Sequence, residues 1–184
     1  MDKNNFVKLL NNINFDKDYI EATFQYKLLI QLAKIFDEDI IYPERNIVKY
    51  GLEPSKFSKK EIDIVIEVGE NQNIAIELKM PMNGQVPEQM YKFIEDIKFL
   101  EELKKTEKFS QCFFIIVTKD KGFWEGKKTD GIYSYFRNNI KKLEGKIYKP
   151  TGNDKNVSSC ELSGKYKIEW EELDNNFKYF MLEL

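Results

Sequence analysis

Apolar residues recur at helical spacing near the start of the chain. The first stripe predicts a short helix over residues 2–11, and the second predicts a longer helix over residues 17–36. Beyond them, Pro43 limits any strand to a sheet edge or a break, so we predict only a short strand over residues 46–50. The two stripes consist of Phe6, Leu9, Leu10 and Ile13, and of Phe24, Leu28, Leu29, Leu32, Ile35 and Phe36.

Alternation of apolar and polar residues distinguishes the next segment. It covers residues 61–68 and 74–80, and the intervening residues 69–73 are typical of a turn. We therefore predict a β-hairpin with one apolar and one polar face, which ends at Pro81 and Gly84.

The remaining pattern completes an α/β arrangement. Helical spacing predicts an amphipathic helix over residues 86–105, and an apolar run predicts a buried central strand over residues 113–117. A loop over residues 119–128, a helix over 132–140 and two late strands over 166–170 and 177–182 follow. This order predicts one α/β domain, residues 1–184, with a mixed central β-sheet flanked by helices, and 42% hydrophobic residues suit one such core.

Overall charge does not point to a nucleic-acid partner. The 29 basic and 31 acidic residues nearly cancel, which leaves a formal net charge of −2. A local basic patch can still bind phosphate, because such contacts act within about 8 Å at physiological salt. No apolar run is long enough for a signal peptide or a membrane span, so we expect a cytoplasmic protein with no membrane partner.

The chain has two cysteines and no histidine. Cys112 and Cys160 lack a C-x-x-C pattern, so neither a disulfide framework nor a thiolate zinc site is indicated, and the apolar run around Cys112 predicts a buried residue. The absence of histidine excludes serine and cysteine triads, HNH-type nucleases and histidine-bound zinc. Any hydrolysis must therefore use carboxylates, lysine, tyrosine and a hard metal ion.

Three polar residues of the predicted hairpin could form a hydrolytic site. Glu77 and Lys79 share one face of their strand, and a turn near Asn71 would set Asp63 opposite Lys79 and one step from Glu77. Two such carboxylates can share a cation, and oxygen ligands favour magnesium, with manganese as a substitute. Lys79 could orient the attacking water, stabilise transition-state charge, or act as a base if its pKa is lowered. The alternative is a solvated sheet face with ordinary ion pairs.

The string Ile62-Asp63, thirteen further residues and then Glu77-Leu78-Lys79 resembles the PD-(D/E)xK nuclease superfamily. In that pattern a proline often precedes the first acid, whereas Ile62 stands there in this chain. The resemblance covers about residues 17–117. It implies a restriction-endonuclease-like core and magnesium-dependent cleavage of DNA, in a restriction, defence or repair role.

The resemblance also implies roles for residues outside the hairpin. Glu21 would be an auxiliary acid and a third metal ligand beside Asp63 and Glu77, and Gln89, or less readily Gln85, would support the site. Because cutting both strands of a duplex with one small domain usually requires two copies, we expect a homodimer.

A basic loop with aromatic residues is the candidate contact to DNA. Its cations would follow the phosphate backbone while Trp124 inserts or stacks. The alternative is a lysine-rich surface loop whose aromatics fold inward. The candidate residues are Lys119, Lys121, Trp124, Lys127 and Lys128, with Phe123 beside them.

Other charged residues suggest no chemistry. Those between Glu95 and Lys105 predict the solvated face of a helix, with no function. Besides a DNA nuclease, the residues leave open a nuclease fold kept as a nucleic-acid-binding or assembly module, an RNA-directed nuclease, and a protein-interaction domain.

Overall fold

Four α-helices form in the computed structural model, which describes residues 2–16, 18–81, 84–138 and 140–184. They are α1 (Lys3–Asn11), α2 (Glu21–Leu32), α3 (Val86–Lys104) and α4 (Tyr133–Phe136). The predictions for α1 and α3 are confirmed. Among the described residues, no helix is both long and apolar enough to cross a bilayer.

Two predicted helices are shorter than expected. α2 begins at Glu21, and the predicted start at Lys17 lies outside the described residues. α4 is a single turn, because Arg137 leaves the helical conformation and its guanidinium donates to the carbonyl oxygens of Gly122 and Lys128, the latter at 2.6 Å. The expected continuation to Ile140 is therefore wrong.

Eight strands form two sheets within the described residues. The larger is mixed, in the order β1-β2-β3-β4-β8-β7, with β3 and β4 parallel and its other neighbours antiparallel. The predicted mixed α/β architecture is confirmed at this level. The bounds are β1 (Ile41–Asn46), β2 (Glu61–Ile66), β3 (Asn73–Lys79), β4 (Phe109–Thr118), β5 (Leu143–Tyr148), β6 (Ser159–Tyr166), β7 (Glu171–Glu172) and β8 (Lys178–Glu183).

Two strand predictions are wrong in position. The first strand ends at Asn46 and residues 47–50 form a 3₁₀ turn; Pro43 fits inside β1 because β1 is a sheet edge. Of the strand predicted over residues 166–170, only Tyr166 lies in a strand, as the last residue of β6, and residues 167–170 form none. β6 pairs with β5 to form the second sheet. A bulge between Glu144 and Gly145, where Gly145 has a left-handed φ of 65°, shifts the register of β5 against β6.

Helices cover both faces of the large sheet. One face packs on α1 and α2 through side chains such as Ile64 and Ile76, and the other packs on α3 through Val65 and Ala75. The predicted polar face of the hairpin is therefore wrong. Glu77, which shares its face with Ala75, is buried beneath α3.

Glu101 of α3 holds the β5–β6 hairpin in place. Its carboxylate accepts hydrogen bonds from the backbone N–H groups of Ser163 and Gly164, at 2.9 and 2.6 Å, and from the hydroxyl of Tyr166 at 2.9 Å. The expectation that Glu101 belongs to a solvated face is wrong, because the hairpin covers that side of α3.

Both cysteines are buried, and the prediction for Cys112 is confirmed. Burial raises the pKa of each thiol to about 12, so very little thiolate forms near neutral pH. We therefore expect the native protein to react slowly with a disulfide reagent such as dithionitrobenzoate at pH 8, and the guanidinium-unfolded protein to release two equivalents at once. Rapid labelling of one thiol in the native state would contradict this burial.

Candidate active site

The candidate residues meet where β2 and β3 emerge from beneath the helices. The strands pair Ile66 with Ile74 and Ile64 with Ile76, so continuing the register by one residue sets Asp63 opposite Glu77. The expected pairing of Asp63 with Lys79 is wrong by two residues, because the hairpin is centred on residue 70 and not on Asn71. The correction brings the two carboxylates closer together.

Asp63 and Glu77 differ in their exposure to solvent. Asp63 is half-buried, and its Oδ2 accepts the Leu78 N–H at 2.7 Å. Glu77 is completely buried, and its Oε1 accepts no hydrogen bond from the described residues. A buried carboxylate oxygen without a partner carries a large desolvation penalty.

Burial raises the pKa of both carboxyl groups. For Asp63 it outweighs the opposing effects of Lys79 and of the Leu78 N–H. For Glu77 burial and the nearby Asp63 raise the pKa well above its ordinary value, even though Lys59 acts in the opposite direction. The folded protein therefore favours the protonated form of both carboxyl groups more than water does.

Two residues that the sequence did not single out complete the cluster. The Lys59 ammonium, in the loop before β2, lies between Glu77 Oε2 and Asp96 Oδ1, and it is 2.8 Å from the latter. Asp96 lies on α3 and is 4% exposed. The expectation that Asp96 belongs to a solvated helix face is wrong. Its seven-residue spacing from Gln89, which sets both on one helix face, is the signal that could have revealed it.

Lys79 extends the charged cluster to the end of β3. Its Nζ donates to the Leu78 carbonyl at 2.8 Å and lies 3.5 Å from both Asp96 Oδ2 and Glu21 Oε1. Burial lowers the pKa of Lys79, but Asp96 and Glu21 outweigh it and the net shift is upward. The base role requires a lowered pKa, so this arrangement favours Lys79 as a fixed cation.

Helix α2 anchors the other side of the site. Glu21, its first residue, accepts the Met80 N–H at 3.1 Å, and Gln25 one turn later donates to the Asp63 carbonyl at 2.8 Å. Glu21 thus lies beside Lys79. In the described ranges, no group of three or more His, Cys, Asp or Glu side chains is arranged to hold a metal ion, so Glu21 does not form a three-carboxylate cluster with Asp63 and Glu77.

A cavity of about 730 Å³ opens over this cluster. Glu21, Lys59, Lys79 and Asp96 line it, together with Gln89 from the first turns of α3. Gln85 is an exposed residue at the helix cap, so of the two candidate glutamines the structure brings Gln89 to the site. The cavity is large enough for part of a polymeric substrate.

The ionised cluster has an excess of negative charge. Four carboxylates, those of Glu21, Asp63, Glu77 and Asp96, surround the two ammonium groups of Lys59 and Lys79. Full ionisation would leave two uncompensated negative charges in a largely buried region. Uncompensated charge is costly to bury, which agrees with the raised pKa of Glu77.

The basic loop leaves the sheet at the same edge. β3 and β4 are parallel, Lys79 pairs with Ile116, and the Thr118 hydroxyl donates to the Pro81 carbonyl at 3.0 Å. The loop that follows Thr118 therefore begins beside the end of β3.

Side chains of the loop divide between core and surface. Phe123 is buried in the core, and Trp124 packs on Trp170 with ring centroids 5.6 Å apart, so these aromatics fold inward. Trp124 stays half-buried. The four lysines of the loop remain at the surface. Lys128 and Lys119 lie near aromatic rings, at 5.4 Å from that of Tyr133 and 5.9 Å from that of Phe177. Lys121 lies 3.9 Å from Glu125, and Lys127 is exposed.

Comparison with protein-family models, with curated proteins and with solved structures finds no significant match to this chain. Its function must therefore be inferred from the geometry and charge of the site.

Proposed function

We propose that this protein is a metal-dependent nuclease with a restriction-endonuclease-like core that hydrolyses phosphodiester bonds of DNA. The observation that carries the proposal is the buried Glu77, one of whose oxygens has no hydrogen-bond partner among the described residues. Asp63 is close enough to raise its pKa, and the cation Lys79 lines the cavity above the cluster. This combination provides a cation position and a phosphate-binding charge without any histidine.

The residues fit a magnesium or manganese ion. Asp63 and Glu77 would hold it, since Mg²⁺ is often bound by one or two carboxylates and completes its shell with water and substrate phosphate oxygens. When bound, such an ion lowers the pKa of a coordinated water and stabilises charge on the phosphate. The buried Oε1 of Glu77, which lacks a hydrogen bond, supports this assignment.

The chain's own groups divide the remaining tasks. Lys79 stays protonated and would bind the scissile phosphate and stabilise the charge that develops there. Glu21 and Asp96 fix the position of its ammonium, each at 3.5 Å. Lys59 neutralises Glu77 and Asp96 while no substrate is present, and Gln89 supplies a further polar contact in the cavity.

DNA would reach the cavity over the loop after β4. Lys119, Lys121, Lys127 and Lys128 lie on a loop that begins at the sheet edge where Lys79 ends, and they would contact backbone phosphates. The half-buried Trp124 leaves only part of its ring available for a base. Cleavage of both strands would use a homodimer.

A cleavage assay with three substrates tests the proposal. Purified protein is incubated with supercoiled plasmid, single-stranded DNA and RNA in magnesium, manganese or EDTA. We expect nicking of DNA in either metal and none in EDTA, and a loss of about 10²-fold in Lys79→Ala, because one group that stabilises transition-state charge is removed. Lys60→Ala, which alters an exposed lysine of the same loop as Lys59, is the matched control.

Other outcomes would replace the proposal with a specific alternative. Preferred cleavage of RNA would indicate an RNA-directed nuclease. DNA binding in EDTA without cleavage in any metal would indicate a binding or assembly module. The absence of salt-dependent nucleic-acid binding would favour a protein-interaction domain.

A further inference from the structure

A second cavity, of about 530 Å³, lies between α4 and the β5–β6 hairpin. Its charge differs sharply from that of the whole chain, whose net charge is −2. Four lysines and a single carboxylate, Asp130, line it. The lysines are Lys128, Lys141, Lys146 and Lys155.

Ion pairing distinguishes these four lysines from the neighbouring Lys149. Among the described residues, none of them forms an ion pair with a carboxylate, whereas the adjacent Lys149 is paired with Glu88 at 3.6 Å. Lys141 donates to the Tyr135 hydroxyl at 3.0 Å, which leaves its charge uncompensated. Like charges that converge around a cavity repel each other unless an anion is bound there. The cavity therefore favours a ligand with several negative charges.

An exposed aromatic ring lies beside these charges. Tyr148 is 47% exposed, and Lys146, two residues earlier on the same face of β5, has its ammonium 5.3 Å from the ring centroid. The other two tyrosines of this cavity are less accessible: Tyr135 is buried, and one face of Tyr133 is covered by Arg137 at 4.0 Å. Tyr148 is thus an available surface for stacking a planar group.

We propose that this cavity binds a single-stranded segment of nucleic acid, with the lysines on its phosphates and one base on Tyr148. Alternating cations and an exposed aromatic are the features by which proteins bind unpaired strands, because every base offers a face for stacking. A duplex would offer the phosphates but not an unpaired base. The inference rests on the proposed nuclease function, since it adds a binding position for an unpaired stretch of the substrate beside the active site.

The position of the cavity agrees with this role. Pro87 lines it, while Gln89 two residues later lines the cavity of the active site. Tyr148 pairs with Ser159 across the hairpin, and Ser159 also lines the active-site cavity. A strand seated on Tyr148 would need to cross only the start of α3 and the hairpin to reach Lys79.

Fluorescence anisotropy in EDTA tests the inference without cleavage. A labelled thymidine oligonucleotide of about 12 nucleotides, within the usual site size, is titrated with protein at several salt concentrations. We expect Tyr148→Ala to weaken binding about fivefold or more and Tyr148→Phe to bind like wild type, because only the former loses the ring. Lys146→Glu and Lys155→Glu should weaken binding and reduce its salt dependence.

Controls separate this site from general electrostatic attraction. Lys142→Glu changes the charge by the same amount at an exposed lysine outside the cavity and should bind like wild type. Equal effects of Lys142→Glu and Lys155→Glu, unchanged binding by Tyr148→Ala, tighter binding of a duplex of equal length, or no binding at all would each overturn the inference. If thymidine monophosphate displaced the oligonucleotide at a similar concentration, the ligand of this cavity would be a free nucleotide and not a strand. Because no metal is present, retained binding with failed cleavage would reject only the nuclease function.

Discussion

Asp63→Asn is expected to reduce metal-dependent cleavage about 10³-fold while preserving the fold. The substitution keeps the size of the side chain and an oxygen that can accept the Leu78 N–H, but it removes one of the two carboxylates that would hold the cation. Losing a group that stabilises charge in the transition state typically costs 10²- to 10³-fold, and here the water-activating ion is weakened as well. Single-turnover cleavage at a series of magnesium concentrations measures the effect.

Glu61→Gln provides the control, because Glu61 lies on the same strand as the half-buried Asp63 but is exposed. It removes one negative charge, as Asp63→Asn does, and should cleave at the wild-type rate. Equal activity of Asp63→Asn and wild type at all magnesium concentrations would eliminate Asp63 as a ligand.

Asp63→Asn is also expected to increase the free energy of unfolding in the absence of metal. Burial raises the pKa of Asp63, so the folded protein binds this proton more tightly than the unfolded chain does. Keeping Asp63 ionised therefore lowers the free energy of unfolding as pH rises above the ordinary carboxyl pKa of about 3.9. Urea unfolding in EDTA should show Asp63→Asn more stable than wild type at pH 7, with the difference lost below about pH 4. A loss of stability at pH 7 would mean that Asp63 is favourably paired.

The hairpin shows what alternation in a sequence can predict. Because side chains on a strand alternate between faces, the sequence alone set Glu77 and Lys79 on one side of β3. The register of the two strands could not be predicted, because residues 67–72 fit turns of several lengths. A shift of the turn by one residue moves each pairing by two residues. Pattern alone was enough to set the candidate residues Glu77 and Lys79 on one face, whereas the position of the turn determines which residue lies opposite Asp63.

Burial of the sheet face beneath α3 explains why Lys59 and Asp96 were not predicted to belong to the site. Polar residues that alternate with apolar ones predicted a solvent-exposed face. The packing of α3 over Val65 and Ala75 covers these polar positions. A charge in such a place requires a partner from a distant part of the chain. Lys59 and Asp96 are 37 residues apart in sequence and provide such a pair.

Asp96 connects the two lysines of the site. Its Oδ1 lies 2.8 Å from Lys59 and its Oδ2 lies 3.5 Å from Lys79, while Asp96 itself is almost completely buried. The side chain of Lys79 is 16% exposed and that of Lys59 is 31% exposed, so neither ammonium is fully solvated. Without Asp96, Lys59 would retain Glu77 as a partner, and Lys79 would retain the more exposed Glu21.

Asp96→Ala is therefore expected to lower the free energy of unfolding by about 3 kcal/mol, the lower end of the range for removing one partner of a buried ion pair. The partial exposure of Lys59 and its remaining contact with Glu77 are the reasons for choosing the lower end. Urea unfolding at pH 7 in EDTA measures the change. Glu95→Ala, on the adjacent exposed position of α3, should stay within about 0.5 kcal/mol of wild type. If the two variants unfolded at the same urea concentration, Asp96 would not compensate the lysines, and Lys79 would be held at the site by Glu21 alone.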